Sequence, residues 1–402
     1  MGLFADTTIL ELGSGAAGPL ASRAFADQGA RVIRIESGRR PDFLRVLFRA
    51  PEDAGGLDAS PMFVCLNADK ESVALDLSRP AARDLARRLV ERVDVVIENF
   101  APGVLARFGL DAPALHAAHP ELVIVSGCLF GQTGPQRGYP GFGGQGSAIA
   151  GFNHLTGWPD REAHGPYGTI TDSLSPRFVA LAVAAALLER RRTGRGRVVD
   201  LSQIEAGVYG LSELVVRRSA TGESLARRGN RDEVAAPHGV FPCRGDDRWI
   251  AIAVFDDAAW QALVRAMDAP DWAADPRLSD AEGRRAHQDE LEAQLAEWTR
   301  HHDAHELMAA LQAAGVEAGA VQTTDDLLRD PQLAHREHFQ RVRHPHLGEI
   351  PLERGGFRLS ESPGRVRAPG PDLGAHTAAV LGDLLGLSAE EVAALERDGA
   401  LA

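Results

Sequence analysis

The sequence predicts a mixed α/β protein, with a parallel sheet first and a smaller α/β domain after it. Three observations carry this. Short apolar strands alternate with helices through roughly the first 130 residues, the pattern of βαβ units around a parallel sheet. The texture changes near residue 220, where Ala-rich helices take over between isolated strands. The 402 residues, 44% hydrophobic and 25% charged, suffice for one large or two ordinary globular domains.

The first strand is Thr8 to Leu12, and it ends in a glycine turn. Pro19 to Asp27 reads as a helix with proline in its first turn. Arg31 to Glu36 is a second strand, with Val32, Ile33 and Ile35 as its apolar residues. Ser72 to Leu77 is extended, Arg79 to Arg92 helical, and Val93 to Ile97 a buried strand. A short helix around Pro113 to Ala118 leads into the strand Glu121 to Ser126. The helix Ser173 to Arg192 stops at Thr193-Gly194, and Arg197 to Leu201 returns as a strand. In the second part, Trp249 to Val254 and Val316 to Val321 are strands. Asp257 to Met267 and His287 to Ala314 are mostly helical. From Leu327 the chain is extended and rich in Pro and Gly. The last helix, Ser388 to Asp398, carries a capping box in Ser388 and Glu391.

Charge and composition exclude several classes. Lys+Arg total 43 against Asp+Glu 56, a net charge of −13, which argues against a nucleic-acid binder. The longest apolar run, Phe178 to Leu188, is too short to span a bilayer and reads as a buried helix. Asp6 and Glu11 interrupt any signal-peptide pattern. Cys65, Cys128 and Cys243 are far apart and odd in number, so they form no disulfide framework and fit a reducing cytoplasm. His301, His302 and His305, like His335 and His338, lack HExxH spacing or a cysteine partner; no metal is expected. Lys70 is the single lysine among arginines.

Two motifs admit chemistry. Gly13-Ser14-Gly15-Ala16-Ala17-Gly18 is a GxGxxG between strand and helix, with Glu36 ending the next strand where a ribose-binding acid would sit. It also looks like the first motif of SAM-dependent methyltransferases. The alternative is a tight turn of any α/β fold. Asp172 stands where the most apolar helix begins, after Tyr167-Gly168-Thr169. It is either an N-cap or a nucleophile able to carry an acyl group as a mixed anhydride. The run Arg190, Arg191, Arg192, Arg195 and Arg197 reads as cations complementing a helix C-terminus.

Several segments in a fixed order give the chain a resemblance to the family III CoA-transferases, which share their fold with the alpha-methylacyl-CoA racemases. They are Leu10 to Pro19; Ala30 to Glu36; Asn67-Ala68-Asp69-Lys70-Glu71-Ser72 running into Leu75-Asp76-Leu77; and Val95 to Gly103 with Arg107. Gly131-Gln132-Thr133-Gly134-Pro135, Arg192 to Asp200, Asp330-Pro331-Gln332-Leu333 and Phe339 follow. The resemblance spans nearly the whole chain. It turns the glycine motif into a family turn and lowers the NAD and SAM readings.

The resemblance implies a Rossmann-like large domain over 1–215, completed by 340–402, and a small α/β domain over 216–339. It also implies an interlocked homodimer. Asp172 falls on the family's catalytic aspartate, which implies transfer through acyl-aspartyl anhydride and aspartyl-CoA thioester. The substrates are then coenzyme A as acyl-CoA and a carboxylic acid. Implied CoA contacts are Arg39, Lys70, Arg107 and Arg137 for phosphates, with Asn99 and Phe100 around the adenine or ribose. Lys70→Arg is accordingly expected to weaken CoA binding. Backbone amides near Asp172, or in Gly141 to Gly146, are the expected oxyanion donors. The chain departs from the racemases in having Phe142 where they place a proton-exchanging histidine. It departs from formyl-CoA transferase at Ala16 and at Val234 to Gly239, and so looks more like the carnitine and aromatic-acid branches. An acyl-CoA racemase or isomerase and a non-catalytic CoA-binding subunit are the alternatives.

Overall fold

The computed structural model describes residues 2–402, which fall into two compact units. Unit 1 comprises residues up to 153, 165–224 and 332–402; unit 2 comprises 154–164 and 225–331. The bounds differ from the sequence reading at both ends of the small domain. They differ also at 154–164, which joins unit 2 because the Gly229 amide donates to Gly157 O at 2.9 Å and Trp158 packs against Gly229.

In unit 1 the strands are β1 (Thr8–Leu12), β2 (Arg31–Glu36), β3 (Lys70–Ala74), β4 (Val95–Glu98), β5 (Val123–Cys128) and β6 (Val198–Ser202). All pairs are parallel, in the order β3-β2-β1-β4-β5-β6. The order reverses between β1 and β4, and the crevice beyond the strands' carboxyl ends there is where α/β sheets bind ligands. Side chains alternate across this sheet. Leu10, Leu12, Ile33, Ile35, Val73, Val96 and Ile124 face one layer with Leu85, Leu89 and Leu115. Val380 and Leu381 of helix Thr377–Leu385 join that layer, so the C-terminal segment completes the domain. Ile9, Val32, Val95, Ile97, Val123 and Val125 face the other layer.

Unit 1 also holds the helices α1 (Ala17–Ala26), α2 (Phe43–Leu47), α3 (Pro80–Val90), α4 (Ala112–Ala118), α5 (Gly143–Ile149), α6 (Ile170–Thr193), α7 (Gln203–Tyr209) and α8 (Ser212–Thr221). Helix α6 was expected to be buried along Phe178 to Leu188. Only one stripe is: Val179, Val183, Ala186 and Leu187 pack on the sheet, while Leu181 and Leu188 are 68% and 63% exposed. An apolar run with no polar face has more apolar surface than one sheet layer can cover.

Unit 2 holds an antiparallel sheet of His238–Pro242, Trp249–Ala253 and Glu317–Ala320. Phe241, Ile250, Ile252, Trp260, Leu263, Leu295 and Leu311 form its core with helices Asp257–Ala266, Gln288–Thr299 and Ala304–Ala313. The strand His238–Pro242 escaped the sequence reading because Pro237, Gly239 and Pro242 break its apolar pattern. Phe339–His344 and Gly348–Glu353 form a hairpin in unit 1. The capping box at Ser388 is formed, with the Ser388 amide donating to Glu391 Oε2 at 2.7 Å.

Candidate active site

Helix α6 begins at Ile170, earlier than the sequence suggests, so Asp172 lies within its first turn and is not the N-cap. Thr169 takes that place at φ 48°, ψ 77°. A β-branched residue in the left-handed region costs about 1–3 kcal/mol, and such strain gathers at functional sites. Thr169 has a local return, since its Oγ1 donates to Asp172 Oδ2 at 2.9 Å. Burial raises the Asp172 carboxyl above the ordinary aspartate value, and the Thr169 hydroxyl pulls it partly back. No cation is paired with it among the described residues. A carboxylate held out of water without a counter-ion keeps its electron density available for attack. Pro176 removes the amide that would bond the Asp172 carbonyl one turn on.

The glycine-rich stretch meets this carboxylate. A Cβ on Gly143 would stand 2.2 Å from Asp172 Oδ2 and 2.4 Å from its Cγ. Gly143 is held there by its carbonyl, which accepts from Thr171 Oγ1 at 3.1 Å and from Ser147 Oγ at 2.9 Å. Close packing continues behind it, where a Cβ on Gly146 would stand 2.6 Å from Thr171 Oγ1. Gly143 and Gly144 open α5, and first-turn amides have no acceptor within their own helix. Gly143→Ala is expected to lower kcat at least about tenfold, with melting temperature and CoA affinity changed far less, because the new methyl displaces the carboxylate itself. Steady-state kinetics beside a thermal melt checks this.

The GxGxxG turn is tied down from three sides. Asn99 pairs with Ser14 through both its amide atoms, Ser14 N to Oδ1 at 2.9 Å and Nδ2 to Ser14 O at 2.8 Å. Asp42 accepts the Gly15 amide at 3.0 Å, and Arg34 donates to Gly13 O at 3.1 Å. Asn99, expected around the adenine or ribose, is therefore first of all a clamp on this turn. Glu36, where a nicotinamide cofactor would need a free acid, is buried and bonded by Arg45 at 2.9 Å and by Ser72 at 2.7 Å.

Lys70 calls for a correction. Its side chain is fully buried, and its ammonium donates to Glu11 Oε2 at 2.7 Å, Pro19 O at 2.8 Å and Asn67 Oδ1 at 2.9 Å. All three donors are engaged inside the fold, and none is left for a phosphate. The residue anchors α1 beneath the glycine turn. The other cations do face solvent. Arg39 is exposed and ion-paired with Asp76 at 3.3 Å. Arg107 and Arg137 are exposed, with no ion pair among the described residues. In chain order Arg39 follows β2, Asn99, Phe100 and Arg107 follow β4, and Arg137 follows β5. Phe100 is half-buried against the core, its amide donating to Glu98 Oε2 at 2.8 Å.

Glu98 itself was not singled out from the sequence. Among the described residues no cation is paired with it, and burial pushes its carboxyl up to about 7, opposed by the Ser126 hydroxyl and the Phe100 amide and supported by Asp200. A raised carboxyl costs nothing below the ordinary value of 4.5, and its full penalty applies above about pH 7. Wild-type stability thus falls across that window through this group. Glu98→Gln is expected to flatten the slope and to gain on the order of 2–3 kcal/mol at pH 8. Denaturant unfolding at pH 5 and pH 8 measures it.

A model of CoA-transferase family III matches residues 4–377. The chain is 37% identical over 391 residues to the succinyl-CoA–D-citramalate CoA-transferase of Chloroflexus aurantiacus, covering 97% of this chain and 96% of that protein. It is 32% identical over 386 residues to the succinyl-CoA–L-malate CoA-transferase alpha subunit of Chloroflexus aurantiacus, covering 96% and 89%. Among solved structures it is similar to a CaiB/BaiF family protein from Brucella suis, with a TM-score of 0.86 and 30% identity over 94% of this chain and 98% of that one.

Proposed function

The chain belongs to CoA-transferase family III, and on that premise we propose that it moves CoA from succinyl-CoA to a short dicarboxylic acid, with Asp172 as covalent carrier. The observation that carries this is the Asp172 carboxylate, half-buried, without a counter-ion among the described residues and in contact with Gly143. The names of the relatives, with citramalate and malate as acceptors, favour dicarboxylic acids over the carnitine and aromatic-acid branches.

In the first half-reaction an Asp172 oxygen attacks the thioester carbon, the C–S bond breaks, and CoA leaves as thiolate. The thiolate returns to the aspartyl carbon of the anhydride and releases succinate, leaving an aspartyl-CoA thioester. The acceptor carboxylate attacks that thioester, and the freed thiolate then takes the acceptor's acyl carbon, restoring the Asp172 carboxylate. Each addition places negative charge on an oxygen beside α5, and the Gly143 and Gly144 amides are the donors we assign to it. Arg107 and Arg137 are the cations best free to meet the CoA phosphates, with Arg39 and Phe100 beside them and Asn99 holding the turn between. Phe142 beside Gly143 offers no proton acceptor, which supports transfer over two-base racemisation.

We also propose a homodimer. Leu181, Leu188, Val198, Tyr209, Val215 and Val216 leave α6, β6, α7 and α8 with exposed apolar side chains, more than a monomer ordinarily leaves in water. Leu181→Glu is expected to shift the protein from dimer to monomer in sedimentation. The three cysteines are free thiols, which supports a cytoplasmic setting.

The test of function supplies succinyl-CoA with a panel of dicarboxylic acids and follows the new acyl-CoA. Transfer to one or more of them is expected. Deuterium exchange at an acyl alpha carbon without any acceptor, and no transfer, would establish the racemase instead. Activity of the purified chain alone also excludes a non-catalytic subunit.

A further inference from the structure

Two aromatic rings stand at the site with no part in the steps above. Phe43 opens α2 directly after Asp42, which accepts the Gly15 amide. Its ring lies so close over Gly15 that a Cβ there would be 2.7 Å from Cε1. Phe142 immediately precedes Gly143, the residue against the Asp172 carboxylate. The rings meet at a centroid distance of 5.5 Å, tilted by 58°. Together they run from the glycine turn to the residue preceding Gly143, which itself lies against the reacting carboxylate.

Both rings remain open to solvent, Phe43 at 39% and Phe142 at 68%. Val46, Leu47 and Phe48 extend the exposed apolar surface along α2. Scattered apolar residues are ordinary, but a contiguous patch beside a reactive group marks a surface that a ligand covers. Phe142 serves no core, and its amide is already held by Gln145 Oε1 at 2.9 Å, so its ring is not needed to fix α5.

We propose that the Phe43–Phe142 pair is the apolar wall that keeps water from the thioester carried on Asp172, and so sets the ratio of transfer to hydrolysis. This rests on the reading of Asp172 as covalent carrier. The competing step is simple. A water oxygen bonds to the aspartyl carbonyl carbon, the C–S bond breaks, and the sulfur leaves as thiolate and takes up one of the water's protons while the other passes to solvent. The Asp172 carboxylate is regenerated with one oxygen from water. The acceptor differs from water in having a carbon skeleton that can lie against the rings, so an apolar wall admits one and disfavours the other.

Phe43→Ala, Phe142→Ala and Phe142→Leu are each incubated with succinyl-CoA, without acceptor for thiol release and with acceptor for transfer. The hydrolysis-to-transfer ratio is expected to rise at least about tenfold in both alanine variants. Phe142→Leu, which keeps apolar bulk, returns most of the way to the parent ratio. Because both rings are partly exposed, the melting temperatures stay near that of the parent. A parent-like ratio in both alanine variants, with hydroxylamine still trapping Asp172 as its hydroxamate, overturns the wall and leaves the carrier standing. Failure to trap Asp172 in the parent overturns the carrier and the wall with it.

Discussion

Asp172→Asn is expected to lower kcat for CoA transfer by at least about a thousandfold while leaving the fold intact. The amide has nearly the shape of the carboxylate and still accepts the Thr169 hydroxyl, but it is no nucleophile. The charged group is held half-buried without a counter-ion, its carboxyl raised by burial. Its neutral replacement therefore gains stability near neutral pH, because a desolvation penalty is removed. This sign separates two roles. At an N-cap, asparagine serves about as well as aspartate, so there the change would leave both stability and specific activity near those of the parent. A nucleophile loses activity and no stability. Thr169 holds the cap position and Asp172 lies inside the first turn, so the second pattern is the expected one. A melt beside a kinetic assay on one preparation reads both.

Lys70→Ala is expected to destabilise unit 1 by about 3–5 kcal/mol, the usual result of removing one partner of a buried ion pair. Glu11 would be left beneath the glycine turn. Burial opposes its charge, and Lys70 and Arg34 outweigh that burial to hold its carboxyl down at about 2. Arg34 and the Ser22 hydroxyl remain on Glu11 after the change, while Pro19 O and Asn67 Oδ1 lose their donor. Lys70→Arg is expected to be costly too. The site encloses a compact ammonium with three acceptors, and a planar guanidinium is longer and presents its donors in a fixed fork. The expected loss is stability first, with CoA affinity falling only as the turn loosens. Denaturant unfolding beside CoA titration distinguishes this from a direct phosphate contact, for which affinity falls and stability holds.

The single lysine illustrates how far the sequence was legible. Its rarity among arginines marked the position as special, but the resemblance placed its segment beside CoA, where the structure buries the ammonium against Glu11, Pro19 O and Asn67. Whether its ammonium pointed to a ligand or to Glu11 depended on the pairing of β2 with β3, which sets Val32 opposite Lys70. Single-sequence patterning does not fix that register. The parallel sheet was readable because buried strands such as Arg31–Glu36 and Val95–Glu98 are apolar runs bounded by turn residues. Asp172 was readable as a candidate, and its N-cap reading is removed only by where α6 begins. Thr169 carries no signal for a positive φ, so the earlier start was invisible. Gly143 belonged to a stretch already noted, but its contact with Asp172 joins segments far apart in the chain. Glu98 was hidden for another reason. Its raised carboxyl comes from burial, which composition does not reveal.

In the proposed mechanism every CoA transferred passes through the Asp172 carboxylate. Turnover with succinyl-CoA and an acceptor acid labelled with ¹⁸O in its carboxylates tests it directly. The acceptor oxygen that forms the second anhydride stays with the enzyme when thiolate takes the acceptor's acyl carbon. The peptide containing Asp172 is therefore predicted to gain one ¹⁸O per chain, located on Asp172 by fragmentation. Unlabelled Asp172 after many turnovers, with product acyl-CoA formed, would contradict the account.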